Sequence, residues 1–172
     1  MKNNLVIDSD PILHTPSLLV PDEKFNNQSI ELKPIATLLI EKIYAHNALG
    51  ISACQLGINM AMFAFDVDGN LKVCINPEIV AVPIESDMPK EDEGCLSYPG
   101  LVLKIKRPSS VIVKYKDIDG VEIREQLNGL AARVFLHEMD HLAGICFVDR
   151  VSKLSLDMAK RKRDKQMKRS KK

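Results

Sequence analysis

The sequence predicts an α+β protein in which mainly antiparallel β-sheets pack around a central helix, followed by a basic C-terminal helix. Strand-like segments fill the middle of the chain between residues 61 and 127, and helical patterns lie before and after them. Grouped strands and grouped helices are typical of the α+β class, because regular alternation of the two would instead predict a parallel sheet.

Residues 33–47 form the first predicted helix, because apolar side chains recur there at helical spacing. A hairpin follows, in which segments 61–67 and 71–75 flank an Asp68-Gly69-Asn70 turn. Further segments with strand-like composition then lie at 78–84, 101–106, 109–116 and 121–127.

The central helix is predicted at about residues 129–143, with Asn128 as its cap and Gly144 at its end. A last helix, roughly 153–168, is mostly charged. The apolar face of the central helix holds Leu130, Val134, His137 and His141.

The composition is that of an ordinary globular protein, with 45% hydrophobic and 27% charged residues in a chain of 172. We expect one catalytic domain over residues 1–152 and a basic helix or tail over 153–172. No apolar run reaches the ~20 residues of a membrane span, and the N-terminal residues lack a signal core. The four cysteines form no CxxC pair, which favours free thiols or metal ligands over disulfides. A cytoplasmic protein without a membrane or DNA partner is therefore expected.

The C-terminal tail differs in charge from the rest of the chain. Residues 153–172 hold ten Lys or Arg and two Asp, a net charge of +8, whereas residues 1–152 hold 14 basic and 21 acidic residues, a net charge of −7. Such a tail indicates a polyanionic partner such as ribosomal RNA, and the alternative is a solvated end that keeps the protein in solution.

Residues 137–141 read HEMDH and carry the strongest chemical signal in the chain. On a helix, His137 and His141 lie one turn apart on the same face and could bind one transition metal. Glu138 could then serve as the base for a water activated by that metal. Cys95, in the segment EGCLS at 93–97, could be a third ligand, which would leave a fourth position open. The alternative is that both histidines are packed or surface residues paired with carboxylates.

Three segments together resemble the peptide deformylase family, whose patterns are GxGLAAxQ, EGCLS and HExDH in that order. This chain has ALGISACQ at 48–55, EGCLS at 93–97 and HEMDH at 137–141. The likeness covers essentially residues 10–151. The first pattern departs from the family at Ala48, Ile51 and Ser52, and these changes bear on substrate binding and rate more than on the reaction itself.

The resemblance implies removal of the formyl group from the N-terminal formylmethionine of new polypeptides. The implied metal is Fe(II), and Zn(II), Ni(II) or Co(II) could replace it. The implied ligands are Cys95, His137 and His141. Glu138 would act as the base, with Gln55 and the backbone N–H of Leu96 as oxyanion donors. The implied contacts with the formylated peptide are Gly50, Leu49, Leu130 and Val134.

Two other functions stay open from the sequence. The altered first pattern allows a metal-dependent peptidase or amidase that acts on another substrate. The basic tail allows a homologue that binds the ribosome without turnover, although all the chemical residues are present.

Overall fold

The structure is a computed structural model that describes residues 5–27 and 32–169. Its helices are α1 (Glu23–Asn27), α2 (Leu32–His46), α3 (Gly129–Leu142) and α4 (Lys153–Arg169). Its strands are β1 (Gly50–Ser52), β2 (Met62–Val67), β3 (Asn70–Ala81), β4 (Lys90–Gly94), β5 (Val102–Lys106), β6 (Ser110–Lys116) and β7 (Glu122–Asn128). Short 3-10 helices lie at Pro11–His14, Ala53–Leu56 and Phe147–Arg150.

Two antiparallel sheets organise the described part of the chain. Five strands pair in the order β1-β2-β3-β6-β7, and β4 pairs with β5 in a separate hairpin. The predicted α+β class with mainly antiparallel sheets is therefore confirmed. None of the helices in the described ranges combines the length and the apolar character that crossing a bilayer would need.

Both faces of the five-stranded sheet are covered by helices. Side chains alternate along β2, so that Phe63 and Phe65 pack with Phe135 of α3 while Met62 and Ala64 pack in the second cluster, with α2. The α3 helix is thus buried along the side that faces the sheet, and its other side meets the β4–β5 hairpin. This position brings the HEMDH segment between the two sheets.

The turn predicted between β2 and β3 is confirmed. Val67 pairs with Asn70, and both Asp68 and Gly69 have positive φ, as a two-residue type I′ turn requires. The two strands predicted at 71–75 and 78–84 are instead one strand, β3. Asn76 has a φ of 49°, and the pairing with β6 shifts register beside it. A bulge therefore carries the strand past the point where the sequence predicted a break.

The predicted start of α3 is correct in position but wrong in mechanism. Asn128 has the extended backbone of a capping residue, yet its side chain makes no capping hydrogen bond. Its Oδ1 accepts instead from Gln126 Nε2 at 3.2 Å. The helix ends at Leu142, and Gly144 takes the left-handed conformation predicted for it, with φ of 71°.

The α4 helix matches the predicted basic helix and has no buried residue. It lies against β5, and the Arg163 side chain stem comes within 3.5 Å of the position a Cβ would take at Gly100. The last three residues of the predicted tail lie outside the described residues. The division of the chain at residue 152 stays a prediction.

Candidate metal and catalytic site

The structure brings the three predicted metal ligands together. Cys95 follows β4 directly, while His137 and His141 lie on successive turns of α3. Their ligand atoms all lie within 4.8 Å of one another. The Cys95 Sγ is 3.2 Å from His141 Nε2. A thiolate and an imidazole that share one tetrahedral metal are separated by roughly 3.5 Å, given the usual bond lengths.

The donor set fits one divalent transition metal. One sulfur and two imidazole nitrogens suit Zn(II) or Fe(II), and three protein ligands leave a position for a reactant. Burial, and then the positive charge of His137, lower the pKa of His141 to about 3, so its imidazole is neutral, as a ligand must be. Burial also lowers the pKa of His137, but its hydrogen bonds with Cys95 and Glu93 outweigh this and raise the pKa to about 10, so metal binding there must displace a proton. The buried Nδ1 of His141 has no hydrogen-bond partner among the described residues.

Glu138 is almost fully buried beside these ligands, with 2% of its surface exposed. The Ser52 hydroxyl donates to Glu138 Oε2 at 2.7 Å. Burial raises the pKa of Glu138, whereas the charge of His137 and the Ser52 hydrogen bond lower it. On the other side of the carboxylate, a Cβ at Gly50 would be only 2.7 Å from Oε1. The carboxylate fits in this position because residue 50 is a glycine and has no side chain. Ser52, which differs from the family pattern, therefore places a hydroxyl in hydrogen-bond contact with Glu138, the predicted base.

Gln55 is held in one orientation within the short 3-10 helix that follows β1. Its Oε1 accepts from the Ser52 backbone N–H at 2.9 Å. Its Nε2 then faces Ser97 Oγ at 3.2 Å and Cys95 Sγ at 3.4 Å. The side-chain N–H of Gln55 is thus directed at the thiol of the metal site. An oxyanion donor would need this position, close to the metal.

A cavity of about 360 Å³ opens onto these groups. Leu49 and Leu130 are 44% and 47% exposed at its wall, while Val134 is buried. Nine of the ten predicted site residues line it, namely Leu49, Gly50, Gln55, Cys95, Leu96, Leu130, Val134, His137 and Glu138. The tenth, His141, lies behind the cavity wall and is 1% exposed.

Glu93 is a site residue that the sequence reasoning missed. It precedes Cys95 by two positions and is buried, and its Oε2 lies 3.1 Å from His137 Nδ1. Arg107 donates to both of its oxygens, at 2.7 and 2.9 Å, and Arg133 Nη1 donates to Oε1 at 2.6 Å. Burial raises the pKa of Glu93, but the hydrogen bonds from His137 and Arg107 outweigh it and hold the pKa at about 2. A charged carboxylate thus orients the first imidazole.

Asp140, within the HEMDH segment, pairs with arginines rather than with a histidine. Its Oδ2 accepts from Arg107 Nη1 at 2.9 Å and from Arg150 Nε at 3.0 Å. The orienting carboxylate is Glu93 instead. Glu93 lies on β4 and Arg107 directly follows β5, 14 positions later in the chain, so no local pattern indicated their pairing.

Cys54 is a second thiol near the site. The structure places it close, with its Sγ 3.8 Å from the His141 carbonyl oxygen. Burial raises the pKa of the Cys54 thiol to about 12, however, which disfavours the reactive thiolate. All four cysteines are free, as the sequence predicted.

Comparison with known proteins decides the family. A family model described as polypeptide deformylase matches residues 2–157. The chain belongs to the peptide deformylase family. The peptide deformylase of Thermotoga maritima is 38% identical to it over 143 residues, which are 83% of each chain. That of Agrobacterium fabrum is 35% identical over 163 residues, which are 92% of each.

Solved structures of this family share the fold. A peptide deformylase from Synechococcus elongatus, in complex with actinonin, has a TM-score of 0.84 and 36% identity, covering 94% of this chain and 85% of that one. A deformylase from Acinetobacter baumannii with Met-Ala-Ser bound has a TM-score of 0.79 and 28% identity, covering 86% and 97%. The resemblance drawn from the three motifs is confirmed, and the chain is an enzyme of this metal-dependent hydrolase family.

Proposed function

We propose that this chain removes the formyl group from the N-terminal formylmethionine of new polypeptides and releases formate. The observation that carries the proposal is the convergence of Cys95, His137 and His141 beside the buried Glu138, at the base of a cavity. The family membership supports the same reaction. A cytoplasmic location goes with the proposal because new polypeptides are made there.

Cys95, His137 and His141 would hold one divalent metal ion, and we propose Fe(II) as the native one, with Zn(II), Ni(II) or Co(II) as replacements. The ion would supply Lewis acidity, which polarises the formyl oxygen and makes a water molecule more acidic. Glu93 would keep the His137 ring in place through the hydrogen bond to Nδ1.

Glu138 would carry the proton. Its buried carboxylate would accept a proton from the attacking water and deliver it to the amine that leaves. Desolvation makes the carboxylate a stronger base than an exposed one, and the Ser52 hydroxyl fixes the position of Oε2.

Gln55 and Leu96 would stabilise the oxyanion. Gln55 already directs its Nε2 toward the metal site, and Leu96 follows the ligand Cys95 and lines the cavity. Each such donor is typically worth ~3 to 4 kcal/mol in the transition state.

The remaining wall of the cavity fits a peptide that begins with methionine. Leu49 and Leu130 line this wall and are nearly half exposed, beside the buried Val134. Such surface favours an apolar side chain. Gly50 belongs to β1, which lies at the edge of the five-stranded sheet, so a peptide could bond to it like an added strand. The Met-Ala-Ser complex of the Acinetobacter baumannii relative supports a peptide that begins with methionine as the ligand of this cavity.

Replacing Glu138 by Gln tests the proposal. Formate release from a formyl-Met-Ala-Ser peptide should fall by about 10² to 10⁴, because a general base is lost, while the metal content stays unchanged. Glu78→Gln, on the exposed part of β3, is the matched control and should keep full activity. Near wild-type release by Glu138→Gln would remove Glu138 from this role. Cleavage of an unformylated peptide without formate release would favour the peptidase alternative.

We also propose that α4 contacts ribosomal RNA. The support is its basic composition and the absence of buried residues along it. Replacing Lys160 and Lys162 by Glu should reduce pelleting with ribosomes, and the effect should shrink at high salt. The matched control is the double replacement of Lys33 and Lys104, two exposed lysines outside α4. Equal pelleting of both double variants would reject the proposal.

A further inference from the structure

A second group of metal-binding side chains lies outside the catalytic cavity. His14 ends the first 3-10 helix, while Cys146 and Asp149 belong to the segment that follows α3. Their ligand atoms all lie within 4.8 Å of one another, the same separation that the catalytic ligands satisfy. The group shares no residue with the catalytic site, and Cys146 is buried while His14 and Asp149 are exposed.

We propose that His14, Cys146 and Asp149 form a second metal site, which binds a borderline divalent cation such as Zn(II). One thiolate, one imidazole and one carboxylate are a donor set that Zn(II) accepts, and three protein ligands leave a fourth position for water. This site is independent of the deformylase activity, because none of its residues has a role in that reaction.

The backbone around the three side chains is fixed before any metal binds. A Cβ at Gly144 would be 2.9 Å from the carbonyl carbon of His14, so the two segments touch through their main chains. The Ser17 N–H donates to the Leu142 carbonyl at 2.8 Å. Little chain ordering would therefore oppose metal binding, which favours affinity.

Each ligand keeps an available donor atom. The Cys146 backbone N–H donates to Asp149 Oδ2 at 2.9 Å, which leaves Oδ1 free to bind. His14 Nε2 lies 3.2 Å from the Asp8 carbonyl oxygen, which leaves Nδ1 for a metal. A metal-bound histidine commonly donates its other N–H to such a carbonyl. The Cys146 thiol donates to the Leu13 carbonyl oxygen at 3.6 Å, and metal binding would release this proton and replace that weak hydrogen bond.

A bound ion would tie the N-terminal segment to the core of the fold. Phe147 follows Cys146 and packs against Tyr98, with 5.4 Å between ring centroids, and against His137, with 5.9 Å. The second site thus adjoins Phe147, the aromatic side chain that packs against the proposed metal ligand His137. A cation that binds only the folded chain stabilises it, so the ion should raise the melting temperature.

Metal titration of the full-length protein tests the proposal. Protein that carries Zn(II) in the catalytic site is dialysed against further Zn(II), and zinc per chain is measured by mass spectrometry. We expect a second equivalent in the wild type and its loss in His14→Ala and Cys146→Ser. The matched controls are His46→Ala and Cys74→Ser, which change the same residue types elsewhere and should keep the second equivalent.

Two further readings distinguish the site from adventitious zinc. Titration with Cd(II) should add thiolate-to-metal absorption at the second equivalent in the wild type, and this absorption should be absent in Cys146→Ser. The second equivalent should raise the melting temperature of the wild type but not that of His14→Ala. His14 is exposed, so its variant decides the question if Cys146→Ser does not fold. Saturation of the wild type at one equivalent, or an unchanged second equivalent in His14→Ala, would overturn the proposal.

Discussion

Replacing Gly50 by Ala should move the predicted base without disturbing the fold. The φ of Gly50 is not positive, so alanine suits its backbone. The conflict is one of space, because the new Cβ would lie 2.7 Å from Glu138 Oε1 and 2.9 Å from Val134 Cγ1. Carbon atoms in contact prefer about 3.5 to 4.0 Å, so Glu138 or β1 must shift by roughly 0.5 to 1 Å to relieve the contact.

The size of the effect follows from this shift. A displacement of about 1 Å at reacting groups can cost on the order of 10²-fold in rate. Glu138 is buried and its Oε2 is bound to Ser52, so it has little room for a compensating movement. Overpacking of one methyl group costs about 1 to 3 kcal/mol, which a domain with typical stability of about 5 to 15 kcal/mol tolerates. We therefore expect kcat to fall roughly 10- to 100-fold in a folded, metal-loaded variant.

The assay is formate release from a formyl-Met peptide, with metal content and thermal unfolding measured on the same samples. Gly94→Ala is the matched control. Gly94 also lines the cavity and has no positive φ, but its Cβ would meet only the Leu101 carbonyl oxygen at 3.7 Å, an ordinary contact. Its activity should stay close to that of the wild type. If Gly50→Ala kept the wild-type kcat, or if both variants lost activity equally, the close contact with Glu138 would not be the cause.

Three more outcomes are expected. Cys95→Ser should lose metal on dialysis while Cys74→Ser keeps it, and equal metal content would show that Cys95 is no ligand. Arg107→Met should lower the free energy of unfolding by about 3 to 5 kcal/mol because it removes one charged partner from two buried carboxylates, Glu93 and Asp140. Lys104→Met, in an exposed pair, should change it by about 1 kcal/mol or less, and urea unfolding measures both. The folded chain holds the pKa of Glu93 at about 2 against a usual 4.5, so this carboxylate stabilises the fold above pH 4.5 and stops doing so as the pH falls through 2. Wild-type stability should therefore decline over that interval more steeply than that of Glu93→Gln.

The longer elements could be predicted because their patterns are local. The hairpin turn at Asp68-Gly69 needs two residues that tolerate positive φ, and both lie between apolar strands. The central helix shows its apolar face in its own sequence. The strand β1 has only three residues, and β4 reads KEDEG, which lacks the alternation of a half-buried strand. Both were missed because they are strands only by virtue of their hydrogen bonds to β2 and β5, which their own sequences do not show.

The site residues likewise divide into those that a local pattern predicts and those that only the fold brings together. His137, Glu138 and His141 lie within one helical segment, so their spacing predicts their common position. The role of Glu93 could not be predicted, because an acidic run such as EDE usually lies in solvent. Only the register of β4 with β5 turns this one carboxylate inward while its neighbour Asp92 stays exposed.

The buried ion pairs of Glu93 are better explained by geometry than by stability. A buried salt bridge recovers little more than the cost of removing its charges from water. The β4–β5 hairpin, however, belongs to a separate sheet from the one on which α3 packs. Arg107 and Arg133 join the hairpin to the helix, since Arg107 reaches the Leu136 carbonyl and Arg133 reaches that of Ile105. Because Cys95 follows β4 and both histidines lie on α3, the same contacts set the distance between the thiol and the imidazoles, on which any shared metal depends.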